Sequence, residues 1–573
     1  TTLSSEGKKV GGVQNLDTIS RLVYGFATAY MITGRARALE AAKKGSEYIQ
    51  KHFRHRNKTE GICYWYSEID IQSDGSMRKI IGSQAGGDEG GNAMPCYEQI
   101  YALSGLTQTY RITGDPDLLR DIEDTITFLN RYFKDHGPNG GFYSHIDPVT
   151  LSPHEDRLGM NKARKNWNSI GDHAPAYLIN LYLATGNEEY ADFLEYTFDL
   201  ICKYFPDYDY SPFMNEKFHD DWSRDLNWGI HQARSVVGHN LKVAWNLTRM
   251  QSLRPKQSYK EFAHKIATTI PSVGSDAQRG GWYDMMERTL KDGQEMHRLV
   301  WHDRKAWWQQ EQGILAYYIM AGFYDDNPDF LKHARMGSAF YNGWFLDYEQ
   351  GGIYFNVLAN GQPYALGTER YKGSHSMAGY HSFELCFLSS IYTNLLINDE
   401  PMDFYFAPVP SGFKDNILRV APDLLPSGTV KLTEVTINGV EYDDFDGDNL
   451  TVTLPKDNGN EQLDVKVRLV PSSVSFNVEL ISRENGTVNY KLFGEIDTSS
   501  IRKLRAELEK PMEVNKYSID MEKIQSVSDE GWNFFAFFRQ MKGENFTLEL
   551  TNLSPEIKQS LDDAELTEEF EIS

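Results

Sequence analysis

The sequence predicts a multidomain protein: an all-α (α/α)6 barrel over residues 1–398, a small β-rich domain over 399–473 and a small α/β domain over 474–573. Three observations predict this division. A helical phrase ending in Thr-Gly recurs through the first 395 residues, short alternating strands follow Asp399, and strands mix with helices from about residue 474. A chain of 573 residues is also too long for one ordinary domain.

The recurring phrase is an aromatic residue, two further residues and Thr-Gly, followed by a second helical pattern. It occurs at 29–42, 109–122 and 181–194, with a looser copy at 317–334. An apolar stripe at helical spacing precedes the first copy, over residues 19–30. Because glycine is a common helix stop, each copy predicts two antiparallel helices joined by a short loop.

A second phrase, a glycine or Gly-Gly before alternating aromatic residues, closes these units at 61–67, 140–147, 280–286 and 351–357. It predicts a tight turn into a short strand. Helix pairs spaced about 70–80 residues apart, as this pattern indicates, favour about six pairs curled into a toroid. An open solenoid is less consistent with the sequence, because solenoid repeats are shorter and more regular.

The rest of the chain is predicted to be two smaller domains. Alternating segments at 429–442, 449–455 and 463–470 predict β-hairpins in the 399–473 region. From about residue 474, strand-like stretches alternate with helical ones such as 529–542, which predicts a compact α/β unit of about 100 residues.

Composition excludes several classes of function. The formal charge of −23 disfavours binding to nucleic acid or to anionic membrane surfaces. The four cysteines lack CxxC spacing, so neither a zinc site nor a disulfide framework is predicted, and no metal is expected. No apolar stretch approaches the ~18 residues of a membrane span, and no signal peptide is evident, so we expect a cytoplasmic protein.

Two histidines, His239 in VVGHNLKVAW and His381 in MAGYHSFEL, each begin an apolar, helix-like run. The positive end of a helix disfavours imidazolium, so such a ring stays neutral and can accept a proton near pH 7. Two of them facing one pocket can remove a proton from one face of a carbon and return it to the other.

Six motifs, in order, resemble the N-acylglucosamine 2-epimerase and cellobiose 2-epimerase superfamily. They are ISRLVYGFATAY, RITGDPDLL, WNSIGDHAPAYLINLY, VVGHNLKVAW, AWWQQEQGI and GYHSFEL. The resemblance implies an (α/α)6 barrel that epimerises or isomerises a sugar through a cis-enediolate, without a cofactor. The implied catalytic residues are His239, His381, His173 and Arg21; the implied substrate-binding residues are Trp307, Trp308, Asn168, Lys242, Gln312 and Tyr97.

The chain departs from the pattern of this family at three positions. Lys242 and Gln312 stand where glutamates are usual, and Ser376 stands where a tryptophan often precedes the second histidine. The resemblance therefore implies a less negative pocket wall, a first histidine without its usual carboxylate partner, and an anionic or otherwise unusual substrate or reduced activity. The Gly-rich segment 82–95 is expected to be a solvated loop, with a lid as the alternative.

The 474–573 segment resembles a STAS domain, mainly in its layout. The turn at Ser528-Asp529-Glu530-Gly531 lies where that family has a phosphorylatable serine, and the acidic replacement implies a fixed interaction with a protein partner rather than a switch.

Two alternatives stay open beside the sugar 2-epimerase or aldose–ketose isomerase. One is a non-catalytic carbohydrate sensor that signals or docks through the STAS-like domain. The other is an α/α-barrel glycoside hydrolase, which needs a carboxylate pair; the candidates are Asp172, Asp220, Asp221, Asp303 and Glu311.

Overall fold

A computed structural model describes residues 2–82, 93–229, 233–324, 327–364, 366, 372–373, 377, 379–456, 461–472, 476–484, 486–497, 500–509, 514–543 and 545–573. The chain divides into two compact units, Thr1–Val470 and Pro471–Ser573. The first unit includes the helical region together with the β-rich segment, so the three-domain division stays a prediction. No helix among these residues is long and apolar enough to cross a membrane.

Buried helices of the first unit form an inner ring. They are α1 (Leu16–Thr33), α3 (Cys96–Thr113), α5 (Trp167–Ile170) continued through a π-helical turn (Ala174–Leu178) into α6 (Ile179–Thr185), α8 (Val237–Leu253), α10 (Trp307–Phe323) and α12 (Tyr380–Ile391), which ends in a second π-helical turn (Tyr392–Ile397). Helix α12 packs against both α10 and α1, which closes the ring.

Amphipathic helices pack outside this ring. They are α2 (Ala36–His52), α4 (Pro116–Phe128) with a π-helical turn (Leu129–Phe133), α7 (Glu188–Tyr204), α9 (Gln257–Gly274) and α11 (Asp329–Trp344). The predicted stops are confirmed, because Gly34, Gly114 and Gly186 end α1, α3 and α6 with φ of 64°, 66° and 63°, values that suit glycine.

One seam of the ring, between α12 and α1, has no outer helix over it among the described residues. Leu22 and Phe26 of α1 and Cys386 of α12 are exposed there. By contrast, α8 is buried from Val237 to Met250. The described part of the barrel therefore has six inner helical segments and five outer ones.

Short strands rim the end of the barrel at which the inner helices begin. Five of these strands each precede an inner helix, and each of them pairs with a strand from later in the chain. The pairs are β3 (Val13–Asn15) with β6 (Glu68–Ile71), β8 (Met94–Pro95) with β9 (His145–Ile146), β10 (Arg164–Asn166) with β11 (Lys217–His219), β12 (Arg234–Val236) with β13 (Met285–Glu287), and β14 (Arg304–Ala306) with β15 (Asn356–Leu358). Strands β1 (Thr2–Leu3), β2 (Lys9–Val10), β4 (Arg54–Asn57), β5 (Ile62–Trp65) and β7 (Met77–Ile80) complete the rim.

The Gly-Gly phrases form the turns predicted before these strands. Gly280 and Gly281 have φ of 82° and 79°, and the backbone then enters β13. Asp276 accepts hydrogen bonds from two backbone N–H groups of this turn and receives Lys305 Nζ at 2.9 Å. This ion pair ties the turn to β14, the strand that leads into α10.

The β-rich segment contains two sheets. Strands β16 (Met402–Phe406), β22 (Val465–Pro471), β18 (Val430–Ile437) and β19 (Val440–Glu441) form one, in that order; β17 (Ile417–Arg419), β21 (Thr451–Thr453) and β20 (Phe445–Asp446) form the other. A Cβ on Gly34 would lie 2.7 Å from the Tyr405 ring, and one on Gly114 2.4 Å from Phe413. The segment therefore packs closely on the ends of α1 and α3, opposite the rim.

The second unit is a mixed sheet of five strands in the order β23 (Phe476–Glu484), β24 (Thr487–Ile496), β25 (Lys516–Val527), β26 (Thr547–Thr551) and β27 (Glu571–Ile572). Helices α13 (Ile501–Leu508), α14 (Asp529–Lys542) and α15 (Pro555–Asp563) pack with it around a core that includes Tyr517 and Trp532. Ser528 caps α14 by accepting a hydrogen bond from Gly531 N. The predicted α/β unit is confirmed; its relation to STAS domains stays a prediction.

Candidate active site

The predicted site residues lie in the first turns of the inner helices, at the rim end of the barrel. A cavity of about 150 Å³ lies there, and its lining residues are Arg21, Tyr97, Tyr101, Asn168, Asp172, His239, Lys242, Trp307, Trp308, Phe355 and His381. Helix N-termini carry a partial positive charge, so this end of the barrel favours developing anions. The structure therefore brings together eight of the ten predicted residues.

His239 is anchored by a carboxylate. Its Nδ1 lies 2.5 Å from Glu216 Oε2, and both side chains are buried. Glu216 Oε1 accepts a hydrogen bond from Val236 N at 3.3 Å, at the start of the same helix. The expectation that Lys242 leaves His239 without a carboxylate partner is therefore wrong, because Glu216, from a distant segment, supplies one.

His381 is anchored in the same way by Glu311, which contacts its Nδ1. Gln312 does not line the cavity; its Nε2 donates to Glu311 Oε2 at 2.8 Å, and its Oε1 accepts from Trp245 Nε1 at 2.8 Å. The carboxylate is thus present one position before the one that the resemblance implied. Burial lowers the pKa of His381 well below its ordinary value, and the positive charge of Lys242 lowers it further.

Arg21 is buried and held flat against aromatic rings. Its guanidinium lies 3.8 Å from the centroid of Tyr101 and hydrogen-bonds Tyr97, while its Nη1 lies 2.6 Å from Asp17 Oδ2, one helix turn earlier. These contacts leave the group little freedom, so it presents a fixed positive charge to the cavity.

Lys242 is also buried and paired. Its Nζ lies 2.6 Å from Asp172 Oδ1 and 3.0 Å from the Tyr101 hydroxyl. Asn168 Nδ2 donates to Asp172 Oδ2 at 2.8 Å. The cation that replaces a usual glutamate is therefore neutralised by a carboxylate from the segment between α5 and the first π-helical turn.

Trp308 links the two histidines. The centroid of its ring lies 5.2 Å from that of His239 and 6.1 Å from that of His381. Trp307 is almost fully buried, packs on Phe355 at 4.3 Å and meets the edge of His381 at 5.9 Å. Trp307 and Trp308 therefore both line the cavity, and Trp307 also contacts Phe355 and His381.

His173 does not line the cavity. It is fully buried, packs against Phe142 and Phe193, and its Nδ1 lies 2.8 Å from the Tyr177 hydroxyl. Burial lowers its pKa to about 3. Its neighbour Asp172 occupies the cavity wall instead, because adjacent helical residues point about 100° apart. The structure thus gives no support for a catalytic His173.

A second cavity of about 240 Å³ adjoins the first and shares Asn168, His239, Trp308 and Phe355 with it. Its other lining residues include Asp284, Trp301, Arg304 and Asn356. Arg304 stacks over Trp301 at 4.2 Å and pairs with Asp284 at 2.6 Å. Asn356 is buried, and both of its amide atoms lack a protein partner among the described residues.

Four residues in or beside the first cavity were not singled out by the sequence: Glu216, Glu384, Tyr101 and Phe355. The same holds for Asp284, Trp301, Arg304 and Asn356 of the second cavity. Of the hydrolase candidates, Asp220, Asp221 and Asp303 line neither cavity, and Glu311 lies behind His381. Only Asp172 faces the cavity, where Lys242 holds it. Ser376 and residues 83–92 of the Gly-rich segment lie outside the described residues.

Glu311, His381 and Glu384 each offer an atom that could approach a metal ion, and these atoms lie within 4.8 Å of one another. His381 already hydrogen-bonds Glu311. Glu384 lies beside this pair and accepts a hydrogen bond from the Tyr380 hydroxyl, and the absence of a metal stays a prediction.

Comparison with known proteins identifies relatives of the barrel. A model of the family described as N-acylglucosamine 2-epimerase (GlcNAc 2-epimerase) matches residues 2–366. The cellobiose 2-epimerase of Ruminococcus albus is 23% identical over 350 residues, which cover 59% of this chain and 78% of that protein. The cellobiose 2-epimerase of Bacteroides fragilis is 20% identical over 378 residues, 64% of this chain and 85% of that protein.

Solved structures share the fold. The cellobiose 2-epimerase of Bacillus thermoamylovorans superposes with a TM-score of 0.55 at 16% identity, covering 68% of this chain and 91% of that one. A D-mannose isomerase superposes with a TM-score of 0.55 at 18% identity, covering 68% and 90%. These likenesses confirm the barrel fold of the first unit.

Proposed function

Because the chain belongs to the N-acylglucosamine 2-epimerase family, and is thus a carbohydrate epimerase, we propose that it inverts C2 of a sugar with His239 and His381 as the acid and base. One observation carries the proposal: both histidines line one cavity, and each has its Nδ1 on a buried carboxylate. This anchoring leaves Nε2 of each ring as the atom that can exchange a proton with substrate.

The proposed reaction begins with the open-chain sugar, whose C1 carbonyl acidifies the hydrogen on C2. Nε2 of one histidine takes that proton, and the electron pair of the broken C–H bond forms the C1–C2 double bond of a cis-enediolate. The other histidine enters the reaction as imidazolium, and its Nε2 gives a proton to C2 on the opposite face. The electron pair of the C1–C2 double bond forms the new C–H bond, and a lone pair of the C1 oxyanion restores the carbonyl. The carbohydrate is the only substrate, and no cofactor enters.

Arg21 and Lys242 supply the positive charge for this reaction. The oxyanion on C1 develops in a buried cavity, where a fixed charge stabilises it more than water would; such a donor is commonly worth about 3 kcal/mol. Burial lowers the pKa of His381, and the charges of Lys242 and Arg21 lower it further. The ring of His381 is therefore neutral before the reaction and can accept the C2 proton.

The two adjoining cavities favour a disaccharide substrate. The first (inner) cavity is lined by both histidines. The second (outer) cavity offers the Trp301 ring for stacking and, for hydroxyl groups, the amide of Asn356, which has no partner among the described residues. We propose that the reducing sugar occupies the inner cavity and that a second, β-linked sugar occupies the outer one. The named activity of the relatives, on cellobiose, supports this assignment.

The experiment is exchange of C2–H in D2O, followed by NMR, with a simple aldose, an acylated amino sugar and a β-linked disaccharide as candidates. Exchange with formation of the C2 epimer supports the proposal, whereas a ketose product would identify an aldose–ketose isomerase. Sugar binding by calorimetry without exchange for any candidate would contradict it and favour the non-catalytic sensor.

Asn356→Ala tests the disaccharide assignment. It should lower kcat/KM for cellobiose about 10-fold and leave kcat/KM for the matching monosaccharide within 2-fold, since a lost hydrogen bond in a buried site costs about 1–3 kcal/mol. Equal losses for both sugars would contradict the assignment.

For the second unit we propose a STAS-type role in assembly with a protein partner. Its support is the order of strand β25, the Ser528 turn and helix α14, with acidic residues in the first turn of that helix. Sedimentation of the full chain and of a form ending at Val470 tests this role. Sedimentation of each form at the mass of its own monomer, alone and with the partner offered, would contradict it.

A further inference from the structure

A pair of buried carboxyl groups lies directly behind His381. Glu311 comes from α10 and Glu384 from α12, one helix turn after His381, and each is only 1% exposed. An oxygen of each carboxyl group lies within 4.8 Å of an oxygen of the other and of a ring nitrogen of His381. Two negative charges so close together and so deeply buried would repel strongly.

Each carboxyl group has one satisfied oxygen and one without a donor. Glu311 Oε2 receives His381 Nδ1 and Gln312 Nε2, and Glu384 Oε1 accepts from the Tyr380 hydroxyl at 2.9 Å. Glu311 Oε1 and Glu384 Oε2 are buried without a partner among the described residues. Two ionised carboxylates have no proton to offer each other, so one added proton would satisfy both oxygens.

The surroundings also favour a single negative charge. Burial raises the pKa of both groups, and the charge of Glu384 raises that of Glu311 further. The titratable and charged groups that face the pair or His381 are Lys242, Arg249 and His239 of α8, Arg21 and Tyr24 of α1, Tyr101 of α3, Tyr341 of α11 and Tyr380 of α12. Lys242 and Arg249 lower the pKa of the pair. All three cations already have carboxylate partners, Asp172 for Lys242, Asp423 for Arg249 and Asp17 for Arg21.

We propose that Glu311 and Glu384 share one proton, and that Glu384 is thereby a positioning residue for His381. The proton lies between Glu311 Oε1 and Glu384 Oε2, while the charge stays on Glu311 Oε2, facing His381 Nδ1–H. This arrangement fixes the tautomer of His381 with a bare Nε2. The inference rests on the proposed role of His381 in proton transfer.

Infrared spectroscopy of the full chain tests the shared proton without measuring activity. The wild type should show the C=O band of a buried protonated carboxyl group at pH 7.5, and Glu384→Gln should lack it. Glu68→Gln is the matched control, because Glu68 is a buried glutamate that lines neither cavity, and it should keep the band. Absence of the band in the wild type, or its persistence in Glu384→Gln, would overturn the proposal.

Kinetics and NMR then test the positioning role. The amide of Glu384→Gln can still donate to Glu311 Oε1, so kcat should stay within about 3-fold, whereas Glu384→Leu should lower kcat about 10-fold and Glu311→Gln about 100-fold. Histidine ¹H–¹⁵N correlation spectra should show the Nδ1–H tautomer of His381 in the wild type and in Glu384→Gln, and its loss in Glu311→Gln. An unchanged tautomer in Glu311→Gln would overturn the positioning role.

These outcomes separate the inference from the proposed function. If no sugar is epimerised but the band and the tautomer behave as stated, the proposed function fails and the shared proton stands. Calorimetry with Zn²⁺ and with Mn²⁺ tests whether the two carboxyl groups and His381 bind a cation instead. Stoichiometric binding by the wild type that is lost in Glu384→Gln would show a cation site and overturn the shared proton.

Discussion

Replacing Glu216 with glutamine should disable His239 while leaving the barrel folded. In the wild type, the ionised Glu216 Oε2 accepts the Nδ1 proton at 2.5 Å. The hydrogen bond from Val236 N to Oε1 should hold the oxygen of the new amide, which turns its NH₂ group towards His239 Nδ1. Nδ1 must then accept, so the ring proton moves to Nε2, and that atom no longer takes a proton from substrate.

The expected loss follows from this change of tautomer. Removing the carboxylate behind a catalytic histidine while keeping its geometry costs about 10²- to 10⁴-fold. That range corresponds to about 2.7–5.5 kcal/mol of transition-state stabilisation. Both partners are buried, so the upper half of the range is expected for epimerisation in Glu216→Gln.

The assay compares two rates in D2O: formation of the C2 epimer, and exchange of C2–H without inversion. His381 keeps its own carboxylate in Glu216→Gln, so it should still remove and return a proton on its face of C2. Exchange should therefore fall much less than epimerisation, as it should in His239→Asn. Equal losses of exchange and epimerisation from both epimers, or epimerisation at the wild-type rate, would refute the reasoning.

Three further predictions concern the rest of the barrel. Asp423→Ala leaves the buried Arg249 without its carboxylate, so it should lower the free energy of unfolding by about 3–5 kcal/mol, measured with urea, while kcat stays within 2-fold; a loss below 1 kcal/mol would contradict it. The pKa of His173 is about 3 in the folded protein and about 6.5 when unfolded, so the unfolded chain takes up the proton in this interval and stability falls as the pH falls through it. His173→Gln should remove up to about 1.4 kcal/mol per pH unit from that slope between pH 6.5 and 3, and identical slopes would contradict the burial argument. A Cβ at Gly238 would lie 2.7 Å from Gln309 Cγ and 3.0 Å from the Trp308 ring, so Gly238→Ala should displace both side chains and raise KM several-fold with a smaller effect on kcat; an unchanged KM would contradict this.

The repeated sequence phrases predicted the helices of the barrel because the residues within each phrase determine where a helix ends and where a turn forms. The glycines after α1, α3 and α6 adopt the left-handed conformation that a helix stop needs, and the Gly-Gly pairs form turns. The open seam beside Leu22 and Phe26 was not predicted, because exposure of an apolar residue depends on which other helix covers it. Local sequence does not carry that information.

The site was predicted in part, and its missing members have a common cause. His239, Arg21 and Trp308 lie in helix starts whose motifs are local. Glu216 lies 23 residues before its histidine, in a segment that pairs with a rim strand, so only the fold brings it close. His173 and Asp172 are adjacent, and the sequence alone does not show which of them faces the cavity.

Adjacent residues of a helix point about 100° apart, and this also explains the apparent loss of a carboxylate at Gln312. In α10, Glu311 faces His381 and Gln312 supports it, so the acidic partner is shifted by one residue rather than lost. A sequence motif compares fixed positions, so a glutamate at 311 instead of 312 looks like a missing glutamate. Both side chains are buried and hydrogen-bonded, so Glu311 can orient His381 while Gln312 orients Glu311.

The pairing of charges bears on the substrate that the cavity accepts. Lys242 would make the pocket positive on its own, but Asp172 lies 2.6 Å away; Arg21 has Asp17, and Arg304 has Asp284, at the same distance. An anionic group on the sugar would have to compete with these carboxylates and would approach their charges. The expectation of an anionic substrate, drawn from Lys242 and Gln312, therefore loses its main support, and we expect a neutral sugar instead. Its C1 oxygen acquires charge only as the C2 proton leaves, when the paired cations can share their charge with it without having bound an anion beforehand.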